Sequence, residues 1–139
     1  MSPGALLVAK ANADILGADI DLHLLDFTDY TQHDKLGKYD IIVSNPPYIP
    51  DTEKESLHAN VREHEPHLAL FVPGNDALLF YRLIADFGKT HLNENGLIYC
   101  ELDHDYAQQT KDLFIAKGYR DVEIRIDMAG NTRKLKACL

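Results

Sequence analysis

The chain has 139 residues, enough for one domain with a hydrophobic core, and its composition of 45% hydrophobic and 26% charged residues is ordinary for a globular protein. No apolar run approaches the roughly 18 residues that a membrane helix needs, and the N-terminus lacks the features of a signal peptide. The formal net charge of −8 disfavours direct nucleic-acid binding, because binding to phosphates is driven by Lys and Arg. We therefore expect a cytoplasmic protein without membrane contact.

The first segment is predicted to be a helix. Ser2 can cap it, Pro3 suits its first turn, and Gly17 is a natural stop. Alternating apolar residues at Ile20–Leu24 then predict a strand.

The compact run Asp40–Val43 is β-branched and apolar, which predicts a strand buried on both faces of a parallel sheet. It ends at Asn45-Pro46-Pro47-Tyr48, and two prolines cannot continue a central strand. The motif is therefore predicted to form the loop at the carboxyl end of the strand. The polar stretch 50–73 that follows is predicted to be a long excursion with one short helical piece, and loops of this length are usually functional.

The remaining segments alternate between helix and strand. The predicted ranges are a helix at 76–91, a strand at 97–102, a helix at 104–117, a strand at 122–126, a turn at 129–131 and a strand at 133–139. This order predicts an α/β fold, with a mostly parallel sheet covered by helices on both faces and an antiparallel hairpin at one edge. Lys134 and Lys136, on the last strand, are interpreted as protection of a sheet edge.

Two groups of potential metal ligands are interpreted without a metal. Cys100 and Cys138 lie in apolar, strand-like segments and are expected to be buried free thiols. The second group is rich in His and Glu and is interpreted as a solvated loop, although a metal site is the alternative; its members are His58, Glu63, His64, Glu65 and His67.

The motif after the Asp40–Val43 strand suits chemistry on a planar nitrogen. Ligands of open α/β sheets bind at the carboxyl ends of the strands. The Asn45 side-chain oxygen and the Pro46 carbonyl could accept hydrogen bonds from an amide NH₂ group. An amide nitrogen is a poor nucleophile, and these hydrogen bonds favour negative charge remaining on it. Proline holds the carbonyl in place, and the Tyr48 ring offers a flat face to the substrate. The alternative interpretation is an ordinary Pro-Pro turn.

The sequence resembles the HemK/PrmC family, the protein-(glutamine-N5) methyltransferases of peptide chain release factors. Ser-Asn-Pro-Pro-Tyr-Ile-Pro looks like the active-site motif of that family, and further similarity extends over nearly the whole chain. The segments that carry the resemblance are Ser2–Leu6, Ser44–Pro50, Arg62–Leu70, Phe80–Arg82 and Asp127–Arg133.

The resemblance implies a class I (Rossmann-like) fold, S-adenosylmethionine as methyl donor, and the glutamine of the Gly-Gly-Gln motif of a release factor as acceptor. Asn45 and Pro46 would bind the glutamine amide as catalytic residues, with Pro47 beside them in the substrate-binding loop and Tyr48 packed against the substrate. Asp26 and Phe27 match an acidic-hydrophobic pair beside the adenine, for which a helix cap and a core residue are the alternatives. Asn45 would also contact the donor.

The chain departs from the family at its beginning. The glycine-rich loop of the first strand and the acidic residue after the second strand are absent, so residues 1–139 are interpreted as the C-terminal portion of a catalytic domain. We therefore expect weak or no donor binding by this chain alone, and a homo-oligomer formed through an exposed sheet edge. Asp103 stands where the family often has Gly, which puts a close backbone approach there in doubt.

Two alternative functions remain open. An N6-adenine methyltransferase could use the Asn-Pro-Pro-Tyr motif in the same way, because an exocyclic amine is also planar. The net negative charge of the chain disfavours this function. A non-catalytic fragment that only self-associates would explain the absence of the glycine-rich loop.

Overall fold

The computed structural model describes residues 2–56 and 66–139, which divide into two compact units, Met1–Lys35 and Leu36–Leu139. The N-terminal unit contains helix α1, Pro3–Leu16, and a 3₁₀ helix, Tyr30–Lys35. The C-terminal unit contains four strands and three α-helices among its described residues.

Helix α1 begins and ends where its sequence predicts. The Ser2 hydroxyl oxygen accepts a hydrogen bond from the Ala5 amide at 3.3 Å. Gly17 ends the helix with φ at 62°, in the left-handed region that glycine adopts without a steric penalty.

The strand predicted at Ile20–Leu24 is wrong. Residues 18–26 form neither helix nor strand, and no described strand pairs with them. Alternation of apolar side chains suits one face of a sheet, but a strand also needs a neighbour for its backbone hydrogen bonds.

The C-terminal unit alternates strands and helices along the chain. Its elements are β1 Tyr39–Ser44, a 3₁₀ helix Asp51–Ser56, α2 His67–Leu70, α3 Leu79–His91, β2 Leu92–Glu101, α4 Ala107–Ala116, β3 Arg120–Ile126 and β4 Thr132–Cys138. Strands and helices are therefore confirmed in all the regular segments that the sequence predicted after residue 38.

The four strands form one mixed sheet in the order β1-β2-β4-β3. β1 and β2 are parallel, whereas β4 is antiparallel to both of its neighbours, β2 and β3. Three of the four strands thus run in one direction, and β4 returns between two of them. The predicted α/β fold with a C-terminal antiparallel hairpin is confirmed.

The position of β4 corrects the interpretation of its lysines. The described edges of the sheet are β1 and β3, so Lys134 and Lys136 lie on an internal strand and do not protect an edge. Lys136 Nζ instead lies 3.7 Å from the Glu123 carboxylate on the neighbouring strand β3.

β1 is also less buried than its sequence predicts. Ile41 and Val43 are 55% and 77% exposed. Both side chains lie on the face of the sheet opposite to the one that carries Ile98 and Cys100, because successive side chains of a strand point to opposite faces. The prediction of a strand buried on both faces is therefore wrong for this face.

The core of the C-terminal unit lies between α3, α4 and one face of the sheet. Ile98 pairs with Ala137, and Cys100 with Leu135, so these four residues share one face, on which each is at most 2% exposed. Helix α3 approaches this face closely at Gly88. A Cβ added to Gly88 would meet Ile98 Cδ1 at 2.7 Å and would come closer still to the Tyr119 hydroxyl oxygen.

Both cysteines are free thiols, as predicted. Cys100 is buried, but the prediction that Cys138 is buried too is wrong, because this residue is only half-buried. Among residues 2–56 and 66–139, no helix is both long and apolar enough to cross a membrane.

Candidate active site

The turn after β1 is held at both of its ends. β1 ends at Ser44, as predicted, and the motif Asn45–Tyr48 follows with Pro46 buried and the Asn45 side chain exposed. On the far side of the turn, the Ile49 amide donates to the Leu70 carbonyl at 3.1 Å, and the Val72 amide donates to the Ile49 carbonyl at 3.0 Å. The prolines and these two hydrogen bonds leave the turn little conformational freedom.

A cavity of about 470 Å³ opens beside this turn, at the carboxyl ends of β1 and β2. Its size falls within the range of small-molecule sites. The residues that line it come from the ends of β1 and β2 and from the β3–β4 hairpin; they are Val43, Ser44, Asn45, Tyr99, Cys100, Glu101, Asp127, Arg133 and Lys134. The location is the one where open α/β sheets bind their ligands.

Glu101, the last residue of β2, connects the turn to the wall of the cavity. The Tyr48 hydroxyl donates to Glu101 Oε1 at 3.2 Å, and the Tyr81 hydroxyl donates to the Glu101 backbone carbonyl at 3.0 Å. Burial raises the pKa of Tyr48, and the negative charge of Glu101 raises this pKa further. Tyr48 is therefore protonated at neutral pH and can donate its hydrogen bond.

A further part of the wall is built by the β3–β4 hairpin. The Ala129 and Asn131 amides donate to the Asp127 carboxylate at 2.8 and 2.9 Å, and these hydrogen bonds, chiefly that from Asn131, lower the pKa of Asp127. Arg133 Nε lies 3.8 Å from the same carboxylate. The lining contains two acidic and two basic side chains, so its formal charge is zero.

Sequence reasoning placed the turn correctly but missed part of the cavity wall. Asn45 lines the cavity, whereas Pro46, Pro47 and Tyr48 are not among its lining residues. Tyr48 is connected to the cavity wall by its hydrogen bond to Glu101. Glu101, Arg133 and Lys134 were not predicted as site residues. A single sequence does not show that a charged residue at a strand end belongs to a site. The pairing of β2 with β4, which brings these residues to one cavity, is visible only in the structure.

Asp26 and Phe27 belong to the N-terminal unit and make local contacts there. The Thr28 amide and hydroxyl donate to Asp26 Oδ1 at 2.9 and 2.7 Å, and these hydrogen bonds, chiefly that from the hydroxyl, lower the pKa of Asp26. The ring of Phe27 lies 4.7 Å from that of the buried His33. A role for this pair in donor binding stays a prediction.

The metal-binding alternative depends largely on undescribed residues. His58 and the segment 63–65 lie outside the described residues, and His67 begins α2. Within residues 2–56 and 66–139, no group of three or more His, Cys, Asp or Glu side chains is arranged to hold a metal ion.

The fold of the chain is similar to that of a solved methyltransferase structure. The chain superposes on the crystal structure of a methyltransferase from Pyrococcus furiosus with a TM-score of 0.58, at 16% sequence identity, over 94% of this chain and 55% of that one. At this identity the likeness shows the fold alone.

Sequence similarity identifies the particular family that the chain resembles. It is 39% identical over 139 residues to a release factor glutamine methyltransferase of Flavobacterium psychrophilum, covering 98% of this chain and 47% of that protein. It is 41% identical over 138 residues to the protein of the same name from Bacteroides thetaiotaomicron, covering 99% of this chain and 49% of that protein. No protein-family model matches the chain.

The chain is thus related over nearly its whole length to release factor glutamine methyltransferases, which confirms the resemblance seen in its motifs. It spans about half the length of the curated relatives it matches.

Proposed function

We propose that this chain is the C-terminal portion of a methyltransferase catalytic domain. The complete domain would transfer a methyl group from S-adenosylmethionine to the side-chain amide nitrogen of the glutamine in the Gly-Gly-Gln motif of peptide chain release factors. The observation that carries the proposal is that the Asn45–Tyr48 turn follows a parallel strand and opens onto a cavity at the carboxyl ends of the strands. Two proteins to which the chain is 39% and 41% identical are named release factor glutamine methyltransferases, which supports the proposal.

The turn is suited to hold an amide nitrogen. Asn45 Oδ1 and the Pro46 carbonyl would accept hydrogen bonds from the two N–H bonds of a glutamine side chain, and Tyr48 would pack against its plane. S-adenosylmethionine supplies an electrophilic methyl group when bound. The chain's contribution is to hold the nitrogen in place and to keep electron density on it, and rigid positioning of reactants accounts for a large part of many enzymatic rate enhancements.

The charge of the cavity lining suits an uncharged acceptor. Asn45 lines the cavity together with two carboxylates and two cationic side chains. The lining as a whole is formally neutral, so it creates no net positive field for the phosphates of a nucleic acid. This balance favours a protein amide over a DNA base as the acceptor. Asp26 and Phe27 are proposed to contact the adenine of the donor.

The relatives suggest where the rest of the site would come from. The chain covers only 47–49% of the two proteins from Flavobacterium and Bacteroides. Segments outside residues 1–139 would hold most of the donor, so we expect weak or no donor binding by this chain alone. The complete protein is proposed to act in the cytoplasm, where release factors function.

The decisive experiment measures transfer of a labelled methyl group. The protein, with the preceding segment of its reading frame restored, is offered a release factor and duplex DNA in separate reactions. We expect label on the release factor and none on DNA. Label on DNA alone would instead identify an adenine methyltransferase.

The Asn45→Ala variant tests the role of the turn in the same assay. Loss of a positioned hydrogen-bonding group typically costs about 10²–10³-fold in rate, so we expect kcat/KM to fall by at least about a hundredfold. Asn12→Ala, on the exposed surface of α1, is the matched control and should retain full activity. Full activity in Asn45→Ala would refute the role assigned to the turn.

A further inference from the structure

Glu101 receives hydrogen bonds from two tyrosines that belong to different elements. Its carboxylate accepts from Tyr48, in the turn after β1, and its backbone carbonyl accepts from Tyr81, a residue of α3 that is 0% exposed. In addition, Glu101 pairs with Lys134 in the ladder between β2 and β4, and the next amide, that of Leu102, donates to the Arg133 carbonyl at 2.8 Å. The main chain at Glu101 is therefore held by α3 on one side and by β4 on another.

We propose that Glu101 is a positioning residue that sets the orientation of the Tyr48 ring in the site. The inference rests on the proposed function, because it assigns Glu101 a role in that reaction through Tyr48. A tyrosine in a loop rotates about two side-chain torsions unless a partner holds its hydroxyl. Glu101 provides this partner from a rigid strand end, so the face of the ring stays aligned with the position of the substrate amide.

The geometry favours positioning over simple attachment of the loop. The turn is already held by the prolines and by the hydrogen bonds of Ile49, so the Tyr48–Glu101 bond is not needed to keep the backbone in place. Glu101 itself lines the cavity, and the hydrogen bond that it accepts from Tyr48 therefore lies at the site.

A second tyrosine–glutamate pair supplies a matched control. The Tyr106 hydroxyl donates to Glu53 Oε1 at 3.3 Å, almost the same distance, but this bond is exposed and neither of its residues lines the cavity. Removing it should affect stability no more than removing the part-buried Tyr48–Glu101 bond does, and it should leave methyl transfer unchanged.

The test is a double-mutant cycle in the methyl-transfer assay on the protein with its preceding segment restored. A misplacement of about 1 Å can cost about a hundredfold in rate, so we expect Glu101→Ala and Tyr48→Phe each to lower kcat by about ten- to a hundredfold, with less than about a threefold change in KM. The double variant should lose no more than about threefold in kcat beyond either single variant, because both substitutions remove the same hydrogen bond.

Two further variants serve as controls. Glu101→Gln should retain activity within about threefold, since its amide oxygen still accepts a hydrogen bond from Tyr48. Tyr106→Phe should be fully active.

A readout that does not depend on activity accompanies the cycle. The charge of Glu101 contributes to the raised pKa of Tyr48, so Glu101→Gln should lower this pKa in an NMR titration of labelled tyrosine rings. Tyr106→Phe should leave the Tyr48 titration unchanged.

Four results would overturn the proposal, namely unimpaired transfer by Glu101→Ala, additive losses in the double variant, a Glu101→Gln variant as inactive as Glu101→Ala, and an unchanged Tyr48 titration in Glu101→Gln. The proposed function fails separately if Asn45→Ala is fully active. If Asn45→Ala is inactive and Glu101→Ala is fully active, the proposed function stands and only the role of Glu101 is refuted.

Discussion

Three residues of the Asn45–Tyr48 motif have different roles that follow from their exposure. Asn45 is exposed and lines the cavity, Pro46 is buried beneath it, and Tyr48 is half-buried with its hydroxyl on Glu101. A side chain can present an acceptor to a substrate only if the backbone below it is fixed. The buried proline and the two backbone hydrogen bonds of Ile49 supply that fixed base.

Cys100 illustrates how burial alone controls a residue's chemistry. Burial raises the pKa of its thiol from 9.0 to about 12, so the thiolate is almost absent at neutral pH. We expect iodoacetamide to label the half-buried Cys138 first and to leave Cys100 largely unlabelled in the folded protein at about pH 8, as measured by mass spectrometry of peptides.

The same shift gives a signed pH dependence of stability. Above about pH 9 the unfolded chain releases the Cys100 proton that the folded chain retains, so this contribution is fully present below that pH and is lost as the pH rises towards 12.

For the iodoacetamide experiment, the Cys138→Ser variant serves as the control and should show no fast labelling phase. Equal labelling rates for the two cysteines would contradict the burial of Cys100.

At the scale of elements, the close contact of α3 with the sheet depends on one missing side chain. The helix packs so near Ile98 that only glycine fits at position 88. The neighbouring Tyr119 hydroxyl donates to the Ala85 carbonyl at 2.8 Å, and any shift of the tyrosine to make room would break that bond. Packing, not helix propensity, therefore determines the residue at this position.

We expect Gly88→Ala to lower the free energy of unfolding by about 2 kcal/mol, because overpacking of a core outweighs the higher helix propensity of alanine. Chemical denaturation measures the change. Gly37→Ala is the matched control, since a Cβ at Gly37 meets no atom within 4 Å and its effect should be close to zero. Equal stability of the two variants would show that α3 lies farther from the sheet.

At the scale of the whole molecule, β1 has one edge with no described strand beside it. The exposed edge carries apolar, β-branched side chains, and such edges promote association with another chain. The homo-oligomer expected from the sequence stays a prediction, with a second copy of this chain as the proposed occupant of the edge.

Size-exclusion chromatography with light scattering tests this association. We expect residues 1–139 to elute as an oligomer and Ile41→Lys to shift them towards the monomer, because a charge on the open edge opposes pairing. The control is Ile115→Lys, on α4, where the side chain is exposed to a similar extent, 51% against 55%. A monomer before substitution would exclude association through β1.

The sequence by itself determined the elements of the C-terminal unit and the position of the turn. Periodicity, caps and prolines are local signals, and they located α1, the boundaries of β1 and the Asn45–Tyr48 motif. The tertiary structure decided which strands are neighbours. It left Ile20–Leu24 without a described partner strand, placed β4 between β2 and β3, and brought Glu101 to Tyr48 across 53 residues of sequence. Pairing between distant segments depends on the whole sheet, and no pattern within one segment encodes it.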